Sequence, residues 1–337
     1  MPAATVQSSR LRTTASLLWR GLAVLALAVL LPGCAGLPPN TGRVPSRALA
    51  EVAGTTLARR VEASAPPDAA VRHRAGFRLL GDVESAYGSR LAMIDAAEKT
   101  LDLQYYSIHY DSSTEELLQR LRHAAARGVR VRMLIDDFNA AGTNAEVLRM
   151  DEVPGVEVRL FNPVSGPRSW QAGRLMTSMF DFQRIQQRMH NKAFIADNVL
   201  AVTGGRNLGD EYFGQGSTSN FLDLDVLVAG PLVKQLSGTF DAYWNDPLAY
   251  PAATLLSHAD REKIDARRQK RQDREAAAPA APAEPPQQPA VMPHAVPGAA
   301  GIASEIELGT LQLTWAPATY VADKPSKISG DEPDDEE

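Results

Sequence analysis

The sequence predicts an α/β fold: one mixed sheet flanked by helices in a single lobe, followed by a disordered C-terminal tail. Two observations predict it. Between Glu84 and Trp244, short strand-like apolar runs alternate with longer stretches of helical spacing, the pattern of a layered sheet-and-helix domain. The stretch 72–250 is also long enough for one domain with a sizeable core, while both flanks change in composition.

Element by element, Glu84–Lys99 has helical spacing, with Ala86, Leu91, Ile94 and Ala97 on one face. Thr100–Tyr106 reads as a strand. Ser113–Arg127 reads as a helix that Gly128 is placed to stop. Val129–Ile135 and Val156–Phe161 are two further strands. Met189–Ala196 alternates as a buried strand, and Asp197-Asn198 is a tight turn into a second one, Val199–Thr203. Pro231–Trp244 opens with proline at a helix start and carries Leu232, Val233, Leu236, Phe240 and Tyr243.

The flanks carry other signals. Arg10, Arg12 and Arg20 precede an apolar run, Gly21–Leu31, which ends in Leu-Pro-Gly-Cys. A basic region, an apolar region too short to span a bilayer and a cleavage site mark 1–33 as a signal peptide. Cys34 is the chain's one cysteine, so no internal disulfide forms. Leu31–Cys34 resembles a bacterial lipobox, which implies lipidation of Cys34 as the first mature residue; the alternative is an ordinary secretory signal. The expected location is the bacterial cell envelope, as a membrane-anchored lipoprotein facing the periplasm. Residues 34–71 then read as a tether, 251–275 as a charged helix facing solvent, and 276–303 as an Ala/Pro-rich linker. Residues 304–337 regain apolar character in GTLQLTWAPATYVADKPSKI before an acidic end.

The chemistry concentrates in HNKAFIADNVLAVTGGRN: His190, Lys192, Asp197, Gly204, Gly205 and Asn207. In a strand, His190 and Lys192 project to one face. The glycine pair permits a sharp turn and close approach to a ligand, and Asn207 returns an amide donor. A neutral imidazole supplies a nucleophile for a phosphodiester, while an ammonium and a carboxamide stabilise charge on the non-bridging oxygens. That division of labour needs no metal and no cofactor. Asp223 and Asp225 lie two apart in the strand-like run LDLDVLVAG, so both face one side; their plain alternative is a strand's wet face. Asp210 and Glu211 read as loop or helix-start charges.

This motif resembles the signature of the phospholipase D superfamily. GGRNLGDEYFG, FLDLDVLVAGP, LDLQYYSIHYDSSTEELLQRL and ARGVRVRMLIDD narrow the resemblance to its cardiolipin synthase C branch, from about Gly76 to Pro247. The resemblance implies a phospholipase D-like sandwich, transfer of a phosphatidyl group to a phospholipid's glycerol headgroup, and a covalent phosphohistidine. It implies a mainly structural Asp197, and an acidic partner for the catalytic imidazole at Asp223. Where this chain has Gly205, many members carry serine. The family uses two such motifs in one site and this sequence holds one. Residues 304–337 resemble the connector between two lobes, here orphaned.

One motif is a mechanistic problem. In-line displacement puts entering and leaving groups at opposite apices, so His190 cannot both attack and protonate the departing alkoxide. His73 and His123 sit in charged contexts and His294 in the tail. His109, beside Tyr110 and near Tyr106, lacks a companion lysine or asparagine. The expected partners are therefore a phospholipid substrate, the membrane through lipidated Cys34, and a second copy that completes the site. Competing accounts are an inactive remnant and a homodimeric phosphodiesterase or nuclease. A net charge of −5 and no basic, aromatic-studded stretch weigh against nucleic acid.

Overall fold

A computed structural model describes residues 37–50, 53–67, 74–137, 145–164, 188–217, 219–256 and 301–329, with scattered positions between 258 and 273. Cys34, His73, His294, most of the linker and the acidic end lie outside the described residues.

A mixed sheet of nine strands forms among the described residues: β1 Arg74–Leu80, β2 Thr100–Tyr105, β3 Arg130–Asp136, β4 Val156–Phe161, β5 Ala193–Ala196, β6 Leu200–Gly204, β7 Asp225–Ala229, β8 Ala249–Pro251 and β9 Thr314–Pro317. Their order is β8-β4-β3-β2-β5-β6-β7-β1-β9. β2, β3 and β4 run parallel, and the other pairs are antiparallel. Helices α1 Thr56–Ser64, α2 Val83–Ala96, α3 Ser112–Ala126, α4 Ala145–Leu148, α5 Pro231–Trp244, α6 Ala252–Leu255, α7 Ile302–Leu308 and α8 Ser326–Ser329 complete it.

Strand alternation divides the core in two. Val131, Met133 and Ile135 of β3 and Phe194 and Ala196 of β5 pack with α2 and α3 through Met93, Ile94, Leu117 and Leu121. Leu134, Ala193 and Ile195 point the other way, to Val233, Leu236, Phe240 and Trp244 of α5. The caps explain the boundaries. The Asp82 carboxylate accepts from the Ser85 amide at the start of α2, and Asp111 from Thr114 at the start of α3. Gly128, at φ 93°, ends α3.

Charges inside the strands have partners. Arg132 is fully buried, forks onto both Asp102 oxygens at 2.7 and 2.8 Å, and meets Asp241 at 2.9 Å. Its guanidinium lies 4.8 Å from the Phe240 ring centroid.

Both flanks read as tether and connector pack onto this sheet. Asn40 donates to the carbonyls of Pro247 and Ala249, the Ala48 amide donates to Asp241, and α1 buries Leu57 and Val61. Over its described residues from Asn40 onward, the tether is held to the domain by these contacts. At the other end α7 buries Ile302 and Ile306, and β9 adds to the sheet edge in register Gly76↔Trp315. A side chain at Gly76 would meet Leu313 and Trp315 at 2.7–3.1 Å, so glycine admits the returning segment. Trp315 Nε1 donates to the Ser64 carbonyl at 2.9 Å, and Tyr243 OH to that of Asp323 at 3.1 Å. The segment that resembles a connector thus also forms part of this sheet's framework. Among the described residues, no helix is long and apolar enough to cross a membrane.

Candidate active site

The motif folds as a hairpin with an irregular lead-in. β5 starts only at Ala193, so His190, Asn191 and Lys192 precede the strand rather than belong to it. They are held from the C-terminal ends of the parallel strands. Asp136, fully buried at the end of β3, accepts from the Met189 amide at 3.0 Å and pairs with Arg188 at 3.4 Å. Arg188 also donates to the Asn162 carbonyl, just past β4, at 2.9 Å. Asp197 and Asn198, at φ 49° and 52°, are the central residues of a primed turn closed by the Val199 amide on the Ala196 carbonyl, within the three-residue link between β5 and β6.

His190 is exposed and stacks on Tyr106, with centroids 4.5 Å apart and planes 15° apart. Its Nδ1 lies 2.9 Å from the Arg188 carbonyl. A carbonyl oxygen only accepts, so Nδ1 carries the proton, and the neutral ring keeps its lone pair on Nε2. The tautomer is set by backbone, where the resemblance assigns that task to the Asp223 carboxylate. Among the described residues, no hydrogen bond joins Asp223 to His190.

Lys192 is half-buried, with Nζ 5.7 Å from the Tyr106 ring centroid. Burial pushes its pKa below the usual lysine value, while Asp223 and then Asp225 pull it back up. Thr203 holds the backbone here by donating to the Lys192 carbonyl at 2.8 Å. Asn207 is buried, and its Oδ1 accepts from the Ser107 amide at 3.1 Å. That bond fixes the carboxamide's orientation. Its Nδ2 donates to Tyr212 OH at 3.1 Å and has a second N–H to offer.

Residues 91–244 match a family model described as "Cardiolipin synthase, PLD-like domain". The chain belongs to the phospholipase D superfamily. It is 36% identical over 245 residues to cardiolipin synthase C of Escherichia coli (strain K12), covering 73% of this chain and 49% of that protein. Similarity to the cardiolipin synthase of Geobacillus kaustophilus (strain HTA426) is 29% over 167 residues, 49% of this chain and 31% of that one. The chain thus spans half or less of the length of these relatives. A solved phospholipase D family member, Nuc from Salmonella typhimurium, aligns over 52% of this chain and 97% of its own at 19% identity and TM-score 0.35.

Within this phospholipase D-like domain the two aspartates part company. Asp225 is fully buried, bound to Arg90 at 2.9 Å and 3.6 Å from Arg206, so a wet strand face does not describe it. Asp223, just before β7, is half-exposed, accepts from the Leu224 amide and acts on Lys192. The glycines serve this segment as much as any ligand. A side chain at Gly204 would run into Asp225 and the Leu224 carbonyl, and one at Gly205 into the Asp223 carboxylate. A serine at 205 is incompatible with Asp223 where it stands. Asp197 is fully buried and accepts from the amides of Glu98, Lys99 and Thr100 at 3.0, 2.7 and 2.9 Å.

Sequence reasoning missed Asp136, Arg188, Asn162, Tyr106, Ser107 and Tyr212, which place the motif's side chains. The Asp pair closing LIDD was a usable signal, because a carboxylate ending a buried strand needs donors. Tyr106, Ser107 and Asn162 come from loops distant in sequence, while Arg188 and Tyr212 stand close to the motif and are tied to partners that no local pattern records. His109 stands in the loop after β2, bonded to Glu211, and His123 is exposed on α3. Among the described residues, no group of three or more His, Cys, Asp or Glu is arranged to hold a metal ion.

Proposed function

We propose that this domain is one half of a phosphatidyltransferase site acting on phospholipid phosphodiesters, completed by a second motif from another copy of the chain. The observation that carries it is the His190 tautomer: Nδ1 is tied to the Arg188 carbonyl, leaving Nε2 as nucleophile on an exposed ring beside Lys192. Nε2 attacks phosphorus as the ester bond to the departing alcohol breaks. That alkoxide takes a proton from the opposing imidazole. The acceptor alcohol then gives its proton to the same imidazole and attacks the phosphohistidine, releasing His190. Lys192 and the free N–H of Asn207 hold the phosphoryl oxygens, where charge is greatest in the transition state. Relatives bearing the cardiolipin synthase name support a lipid substrate. So does the lipobox-like Leu31–Cys34, which makes the chain a lipid-anchored envelope protein at a bilayer.

Pairing gives this reading its test. Specific activity on phosphatidylglycerol vesicles rises with protein concentration and levels off as copies pair, and His190→Ala abolishes it. Conversion that stays at background at every concentration, in a chain shown to dimerise, defeats the proposal and favours an inactive remnant.

A further inference from the structure

The loop after β2 carries a hydrogen-bonded chain that the reaction above does not use. Ser107 Oγ lies 2.9 Å from His109 Nε2, and His109 Nδ1 lies 2.5 Å from Glu211 Oε1. Hydroxyl, imidazole and carboxylate stand in the order of a nucleophilic triad. Ser107, however, is 2% exposed, so its hydroxyl does not meet a substrate from solvent. Both ring nitrogens of His109 are engaged by protein groups.

What the chain does is tie together two segments that also hold Asn207. One segment supplies the Ser107 amide, which donates to Asn207 Oδ1. The other is the 3₁₀ turn Asp210–Tyr212, whose Tyr212 OH accepts from Asn207 Nδ2. The clasp ends on Ser107 itself and on Glu211, the neighbour of Tyr212. Backbone bonds reinforce it: the His109 amide donates to the Leu208 carbonyl at 2.8 Å, and the Leu208 amide to that of Ser107 at 3.3 Å. Tyr106, the residue before Ser107, is the one stacked on His190. Gly209 makes room at the centre, since a side chain there would crowd Asp111, Glu211 and His109 at 3.2–3.3 Å.

We propose that His109 is a positioning residue: clasped between Ser107 and Glu211, it keeps the Asn207 carboxamide and the Tyr106 ring in place over the half-site. Its effect on rate rests on the phosphatidyltransfer reading; its effect on Asn207 does not. The carboxamide's side-chain NMR signals, identified by their loss in Asn207→Ala, are read in the resting full chain without turnover. Initial rates on phosphatidylglycerol vesicles give kcat and KM.

His109→Ala is expected to move the Asn207 signals and lower kcat about 10- to 100-fold, with KM within about twofold. Glu211→Gln keeps an acceptor for Nδ1–H, so both readouts stay near wild type. If His109→Ala fails to fold, Gly209→Ala strains the same clasp and is expected to move the signals in the same direction. Unmoved Asn207 signals overturn the proposal. So do moved signals with unchanged kcat in an enzyme that His190→Ala inactivates. An inactive wild-type chain sinks the transferase reading alone, because the Asn207 signals still report on the clasp.

Discussion

Asp197 and His190 belong to one motif, yet they live in opposite surroundings. Asp197 is sealed from solvent and spends its carboxylate on three successive amides at the entry to β2. His190 is exposed, with one backbone hydrogen bond and one aromatic stack. A buried carboxylate with full hydrogen bonding is a fold element, whereas an exposed imidazole with an open nitrogen is a reagent. The motif therefore has two ends: a buried one that fastens the β5–β6 turn to β2, and an exposed one, just before β5, to which the proposed chemistry belongs.

Substitutions at the two ends should give opposite phenotypes. His190→Ala should cut phosphatidyl transfer by about 10³-fold or more while leaving thermal unfolding within about 0.5 kcal/mol of wild type. Asp225→Asn should do the reverse on the neighbouring strand. It strands a buried Arg90 guanidinium, at a cost of about 3–5 kcal/mol in denaturant unfolding. Asp197→Ala should follow at about 2–4 kcal/mol, as three amides lose their acceptor, and the protein that remains folded should keep its turnover number. Loss of turnover without loss of stability in that variant would put Asp197 on the chemical side.

The smallest effect belongs to Asp223. Burial lowers the Lys192 pKa and the Asp223 carboxylate raises it, so Asp223→Asn must lower it further. If the charged lysine holds the phosphoryl group, the alkaline limb of the rate profile moves to lower pH in Asp223→Asn. A limb that stays in place assigns Asp223 elsewhere.

The same division explains what was legible in the sequence. Helices α2, α3 and α5 and strands β2, β3 and β4 follow from local periodicity and caps, because each buries a regular face. The motif's residue types announce its chemistry, and the Asp197-Asn198 turn is visible because both residues tolerate positive φ. The supports were hidden. Arg188 reaches Asp136 and Asn162 across 52 and 26 residues, and Asn207 reaches Ser107 across 100, separations that no local pattern records. The packing of the returning segment was hidden for a related reason. β9 is a short edge strand with no buried residue, so its sequence lacks the alternation that marks β3 or β5. Its attachment depends on a glycine, Gly76, far away in the chain.

If His190 is the nucleophile, it forms a covalent bond to phosphorus that can be trapped. Chain quenched with acid-free denaturant during turnover on phosphatidylglycerol is digested and its peptides are weighed. A phosphatidyl adduct is expected on the peptide bearing His190, absent from His190→Ala. An adduct on a different residue, or undiminished lipid conversion by His190→Ala, would contradict it.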